Sequence, residues 1–282
     1  MNEPVDGPTE HSVIASTNRP FTRWSVGDDL ARLGVEAGET LIVHSSLSKL
    51  GWVVGGAQAV VEALLDVVGP NGTLIMPTHS SHWTEPANWQ NPPVNPEWFA
   101  DVYAALPAFD PAITPTTMMG AIVECFRHVP GVRRSNHPAA SFAAFGKHTD
   151  FIVDDHRLES WMGEHSPIGR AYDLDARVLL LGVGHGNNSS LHLAEHRADW
   201  KEKRMERQGA AILVDGVRQW VAYEMHTTDE TDFEAVGADF DATGQTEAGK
   251  VGHGDAKLMS QRALVDFAAA WMEYNRPGSL SD

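Results

Sequence analysis

Between Thr40 and Met76 the chain alternates strand and helix signals in an order that leaves few folds open. Thr40 to Val43 is a short apolar run. From Ala59 to Val68, the apolar Val60, Val61, Leu64, Leu65, Val67 and Val68 recur at helical spacing. Gly69-Pro70-Asn71-Gly72 stops that helix, and Thr73 to Met76 is a second apolar run. Strand, helix, strand predicts a βαβ unit, with two parallel strands joined by a right-handed crossover. A third run, Val178 to Leu181, is continuously apolar, as a strand buried on both faces should be. With 282 residues, 42% of them hydrophobic, the chain is long enough to bury a substantial core. The expected architecture is one α/β domain, its central sheet mostly parallel and flanked by helices, with irregular insertions.

The remaining signals fill in that frame. Ser25 is the expected cap of a first short helix, with Asp28 completing an acidic capping box and Gly34 ending it. Ser81 to Pro115, rich in Pro, Asn and Trp, reads as an irregular surface excursion. Met118 to Phe126 resumes a helical pattern, and Arg133 to Gly146 reads as loop, then strand. His165-Ser166-Pro167 opens a short helix through Tyr172. Ala211 to Val214 and Val217 to Tyr223 flank Asp215-Gly216, the signature of a type I′ hairpin. Ala256 to Met272 reads as an amphipathic closing helix. Residues 1–20 are expected to be a disordered arm, residues 21–275 the domain, and 276–282 a tail.

Charge narrows the partners. A formal net charge of −17 disfavours nucleic acid, whose phosphates call for clustered Lys and Arg, and favours a cationic small molecule. The acidic residues crowd between Glu224 and Asp241, a pattern that a solvated loop also produces. No apolar run approaches the length of a membrane span, and no secretory signal is visible. The single cysteine, Cys125, lies in the apolar context AIVECF, as a packed thiol does. A cytoplasmic protein, monomeric or homodimeric, is the expectation.

Three loops that follow predicted strands offer small hydroxyls and histidines: His44-Ser45-Ser46, Pro77-Thr78-His79-Ser80, and Gly186 to Ser190. Neighbouring parallel strands would bring such loops to one sheet edge, where α/β proteins bind ligands. Their N–H groups and hydroxyls suit phosphates. No dinucleotide fingerprint, P-loop or nucleophile elbow is present. The segment RVLLLGVGHGNNSSLHLAEHRADW, from Arg177 to Trp200, is the richest in chemistry. A strand, a glycine-rich turn and capping Asn and Ser residues lead into a helix that carries His192, Glu195 and His196 on one face. Two chemistries fit these three residues. They match H-x-x-E-H, in which two imidazoles bind zinc and the carboxylate acts as base of a hydrolase. They equally fit a metal-free site, in which a carboxylate orients His192 and His192 deprotonates a nucleophile. Among the other histidines, His11, His128, His148 and His156 are expected at the surface, and His137 in a structural or anion-binding role.

Five stretches in order resemble the aminoglycoside 3-N-acetyltransferase family: LIVHSSLSKLG, GPNGTLIMPTHS, MMGAIVECFRHVPGVRRSNHPAASFAAFG, HSPIGRAYDLDARVLLLGVGHGNNSSLHLAE and GKVGHGDAKLMSQRALVDFA. They cover most of the chain from Trp24 to Trp271. The resemblance implies an α/β fold distinct from the common acetyltransferase superfamily. It also implies metal-free transfer of acetyl from acetyl-CoA to the 3-amine of a deoxystreptamine antibiotic, which confers resistance. It makes His192 the general base and Glu195 its acidic companion, with His44 also at the reaction. His44, Ser45 and Ser46 would line the CoA site, with Thr78, Met118, Gly120, His137, Ser166 and Arg170 nearby. Asn187, Asn188 and Glu195 would meet the cationic antibiotic; Asp229 and Asp232 are expected to meet it on charge alone, since the acidic segment from Asp229 to Asp241 is where the family varies most. His196 lies outside the family pattern. A relative that acetylates some other amine is the alternative.

Overall fold

The computed structural model describes residues 9–90, 92–200 and 202–276. Its helices are α1 Glu10–Ser16, α2 Arg23–Leu33, α3 Gly56–Val68, α4 Phe99–Ala105, α5 Gly120–Phe126, α6 Thr149–Val153, α7 Pro167–Asp173, α8 Ser190–Arg197, α9 Phe233–Asp241 and α10 Gln261–Asn275. Its strands are β1 Thr40–Ser45, β2 Thr73–Pro77, β3 Arg133–Arg134, β4 Phe142–Gly146, β5 Arg177–Leu181, β6 Met205–Val214, β7 Val217–His226, β8 Thr246–Val251 and β9 Gly254–Ser260.

Seven strands form one sheet in the order β3-β4-β2-β1-β5-β9-β8. β1 is parallel to both β2 and β5, while β4 and β9 extend the sheet with antiparallel pairing. The βαβ unit is therefore β1–α3–β2. From β1 the chain first adds β2 on one side and later β5 on the other. The carboxyl ends of β1 and β5 thus meet at a topological switch point, where the connections diverge and leave a crevice.

Successive side chains of a strand point to opposite faces, so β1 serves two cores. Leu41 and Val43 pack with Leu64 of α3 and Phe126 of α5. Ile42 joins Leu191 of α8, Phe240 of α9 and Leu264 of α10 on the other face. The result is helix, sheet, helix. Truncating a fully buried residue such as Leu64 to Ala should cost about 2–5 kcal/mol.

Local chemistry sets the element ends, not always where sequence placed them. Thr22, not Ser25, caps α2; Ser25 is the third helical residue, and its hydroxyl accepts from the Thr22 N–H at 2.9 Å to complete the box. Ser166 caps α7 as expected. Asp215 and Gly216, at φ 51° and 77°, make the turn between β6 and β7, as type I′ geometry requires. The excursion from Ser81 to Pro115 holds short 3-10 turns and α4. The closing helix is shorter than its pattern: Ala256 to Ser260 belongs to β9, paired with β5, and α10 starts at Gln261 under a Ser260 cap. Strand alternation in Ala256 and Leu258 happened to stay in phase with the helical repeat that follows. Residues 1–8 and 277–282 of the expected arm and tail lie outside the described residues. Within the arm, residues 10–16 are helical. Arg276, assigned to the tail, is buried.

Candidate active site

Two adjoining cavities open at the switch point, of about 880 and 300 Å³. Ser45, Met118, Met119, Val183 and Asn187 line both, so the two volumes meet. Alternation along β1 decides which group faces which volume. His44 follows Ile42 onto the α8 side and lines the smaller cavity, while Ser45 reaches both. Gly182, at φ 72°, turns the chain out of β5 where a Cβ would lie 2.8 Å from Lys49 Cβ. Asn188 then accepts the Ser190 N–H at 3.2 Å and starts α8. This places His192 in the first turn of that helix, facing the smaller cavity.

Behind His192 the polar groups form a chain. Its Nδ1–H donates to Glu195 Oε2 at 2.6 Å, one helical turn on. The other oxygen, Oε1, accepts from Arg276 Nη1 at 2.8 Å and from the Asp229 N–H at 2.7 Å. Glu195 is only 2% exposed, so these three donors compensate a carboxylate removed from water. The imidazole sits between Trp161 and Phe233, at ring-centroid distances of 5.2 and 4.8 Å. With Nδ1 committed, Nε2 is the nitrogen left for a ligand.

Opposite stand neutral groups. Burial, then the neighbouring His192, pushes His44 down to about 3, and burial does the same to His79. His44 Nε2, Ser45 Oγ, His79 Nδ1 and Asn188 Nδ2 are buried with no hydrogen-bond partner in the protein. Unpaired buried polar atoms are costly, and four of them around one cavity mark a site that expects a ligand. Glu230 supplies the one carboxylate among the residues lining that cavity.

The larger cavity differs in kind. Ser46 and Ser48 line it beside Gly120, and so do Gly55 and Gly56 at the start of α3. That helix has no side-chain cap; its Gly56 N–H is taken by the Val53 carbonyl at 2.9 Å, which leaves the N–H groups of Ala57 and Gln58 for an acceptor. No Lys or Arg is among the residues lining it. Glu10 and Val13 of α1 form part of its rim.

The structure thus brings His44, Ser45, Ser46, Met118, Gly120, Asn187, Asn188 and His192 to the two cavities. Four residues expected near the larger one line neither. Thr78 Oγ1 accepts from Arg134 Nε at 3.1 Å. His137 Nδ1 accepts the N–H groups of Ala139 and Ala140, a loop-building role. Ser166 caps α7, and Arg170 donates to the carbonyls of Phe151 and Asp155. Two acidic candidates are also turned elsewhere: Asp229 accepts from the Thr231 hydroxyl, and Asp232 pairs with Arg276 at 2.7 and 2.8 Å. His156, expected at the surface, is buried: its Nε2–H donates to the Trp161 carbonyl and Nδ1 pairs with the Ser135 hydroxyl. Sequence reasoning placed His79 in a candidate loop without giving it a role, and it assigned none to Glu230, Trp161, Phe233 or Arg276. The alternation Ile75, Pro77, His79 was the available signal for the first.

The H-x-x-E-H reading does not fit this geometry. Glu195 is bound to His192 and Arg276 rather than free as a base, and His196 packs edge-on to His226. Among the described residues no three His, Cys, Asp or Glu side chains converge as a metal site would require. No described helix is long and apolar enough to cross a membrane.

Comparison with known proteins identifies the family and the fold. Residues 42–273 match the family model for aminoglycoside 3-N-acetyltransferase. The SPbeta prophage-derived aminoglycoside N(3′)-acetyltransferase-like protein YokD of Bacillus subtilis is 44% identical over 264 residues, 93% of this chain and 96% of that protein. Its crystal structure superposes with a TM-score of 0.92, covering 94% of this chain and 98% of that one. Aminoglycoside N(3)-acetyltransferase VII of Streptomyces paromomycinus is 35% identical over 280 residues, covering 94% and 96%. A structure titled AAC-IIIb binary with CoASH has a TM-score of 0.83 at 31% identity, covering 94% and 100%.

Proposed function

We propose, because the chain belongs to the aminoglycoside 3-N-acetyltransferase family, that it transfers acetyl from acetyl-CoA to the 3-amine of an aminoglycoside, with His192 as general base. One observation carries the mechanism: His192 presents Nε2 to the smaller cavity while Nδ1–H is held by Glu195 at 2.6 Å.

The larger cavity suits acetyl-CoA as co-substrate. At about 880 Å³ it accommodates an extended pantetheine chain, and the uncapped N–H groups that follow Gly56 in α3 suit a pyrophosphate. The thioester would reach the junction by Ser45 and Asn187, and the acceptor amine would enter the smaller cavity.

An ammonium has no lone pair, so one proton must first leave to solvent before the neutral amine attacks. His192 Nε2 accepts a proton from the amine as the C–N bond forms, and Glu195 stabilises the imidazolium through Nδ1–H. Negative charge on the former carbonyl oxygen needs donors; the Ser45 hydroxyl, unpartnered and lining both cavities, is a candidate. His192 then returns the proton to the departing thiolate as the C–S bond breaks. Glu230 would attract the cationic acceptor.

The test is release of free thiol from acetyl-CoA in the presence of gentamicin-like and apramycin-like acceptors. Acceptor-dependent release, with the acetylated 3-amine identified by mass spectrometry and NMR, is expected. No release with any aminoglycoside overturns the substrate assignment. Release with a different amine would instead select a non-antibiotic acceptor.

A further inference from the structure

We propose that Arg276 is a positioning residue for the reaction: it holds Glu195 ionised and in place behind His192, and with the same guanidinium fastens the loop that carries Glu230 into the smaller cavity. The inference rests on the reading of His192 as base. It concerns a residue beyond the stretch that matches the family model, which stops at 273.

The geometry is specific. Arg276 caps the C-terminal end of α10 and is 7% exposed. Nη1 donates to Glu195 Oε1 at 2.8 Å. Nε and Nη2 fork onto the two oxygens of Asp232, at 2.8 and 2.7 Å. Nη2 also donates to the Asp229 carbonyl at 2.6 Å, and the group stacks over Trp200 at 4.7 Å. A planar five-donor fork makes all four contacts at once; a lysine ammonium cannot. Asp229 closes the circuit, since its N–H reaches Glu195 Oε1 while its carbonyl is held by Arg276. Glu230 is the next residue.

The charge is as important as the shape. Without a cation beside it, a buried carboxylate binds protons more readily, and so does the His192–Glu195 pair as a whole. Other charged or titratable groups face the pair. Lys203 lies near Glu195, Asp232 is neutralised by Arg276, Glu230 lines the cavity, and His44 and His79 face His192 as neutral rings. Removing the guanidinium therefore raises the proton affinity of the pair and leaves more of the base already protonated at neutral pH.

The test compares Arg276→Gln and Arg276→Lys in the full chain, with melting temperatures to confirm folding. For Arg276→Gln we expect kcat at pH 7 to fall roughly tenfold or more, the acidic limb of its pH profile to move up by about one unit, and KM for acetyl-CoA to stay within about twofold. Arg276→Lys should restore the limb but not the acceptor KM, because the loop fork is lost. An NMR titration of the His192 ring, assigned through His192→Gln, gives the same comparison without turnover. It decides the inference even if wild type proves not to acetylate an aminoglycoside. An unmoved His192 midpoint in folded Arg276→Gln overturns the proposal, as does an equal loss of activity at every pH. If the glutamine variant does not fold, the lysine variant and Asp232→Asn remain. Asp232→Asn keeps the cation on Glu195 and should raise acceptor KM without moving the limb; a moved limb there also overturns it.

Discussion

His44 and His192 face one cavity from β1 and α8, and only His192 has a carboxylate behind it. The asymmetry separates their roles. Burial holds His44 neutral, at about 3, with Nε2 unpartnered. It can place a ligand by hydrogen bonding, whereas accepting a proton would leave a buried cation without a counter-charge.

His192→Gln should lower kcat by roughly 10²–10⁴-fold, the usual size of general-base help. Glu195 keeps its bonds to Arg276 and the Asp229 N–H, so the fold should survive. Steady-state kinetics beside a thermal melt checks both. A folded variant with near-normal turnover would move the base elsewhere.

His44→Ala should reduce turnover by roughly tenfold, as one lost hydrogen bond of about 1.4 kcal/mol would. Because His44 is already neutral across the working range, the acidic limb of the pH profile should not move. A shifted limb would mean that His44 titrates during catalysis.

The protein should be acid-labile. Burial lowers His44 and His79 from 6.5 to about 3 and His137 to about 4, and lowers His156 as well. Below about 6.5 these side chains bind protons in the unfolded chain but not in the fold. Stability is therefore lost as pH falls through that window, by up to about 1.4 kcal/mol per pH unit for each histidine. Urea midpoints at pH 8, 6.5, 5.5 and 4.5 should decline with increasing steepness. A flat series would mean that these rings ionise within the fold.

Glu230→Gln should raise KM for a cationic acceptor by roughly 1.4- to 5-fold, since an exposed pair is worth about 0.2–1 kcal/mol. KM for acetyl-CoA should stay the same, and the difference should shrink in high salt. Equal acceptor KM values at low ionic strength would place the ammonium groups away from Glu230.

What sequence revealed was what neighbours in the chain encode. The β1–α3–β2 unit, the Asp215-Gly216 turn and the Ser166 cap depend on residues a few positions apart. His192 and Glu195 were readable because i and i+3 share a helix face. Arg276 was not: it meets Glu195 across 81 positions, and no periodicity connects them. Asp229 and Asp232 looked like substrate ligands because sequence counts charges without showing which are already paired. Thr78 and His137 were expected near the CoA site from the family resemblance, which does not say whether their polar atoms face inward or outward.

β1 delivers His44 to one face of the sheet and Ser45 toward the other, and its register is fixed on both sides by β2 and β5. A slip of one residue would exchange the two faces. Insertions and deletions should therefore be tolerated very unevenly along this chain. Length changes between Pro92 and Trp98 alter an exposed surface, but one codon lost or gained within Leu41–Val43 would put the Ser45 hydroxyl or the Val43 side chain where the imidazole belongs. In a library of single-codon indels, survivors should cluster in the first segment and vanish from the second.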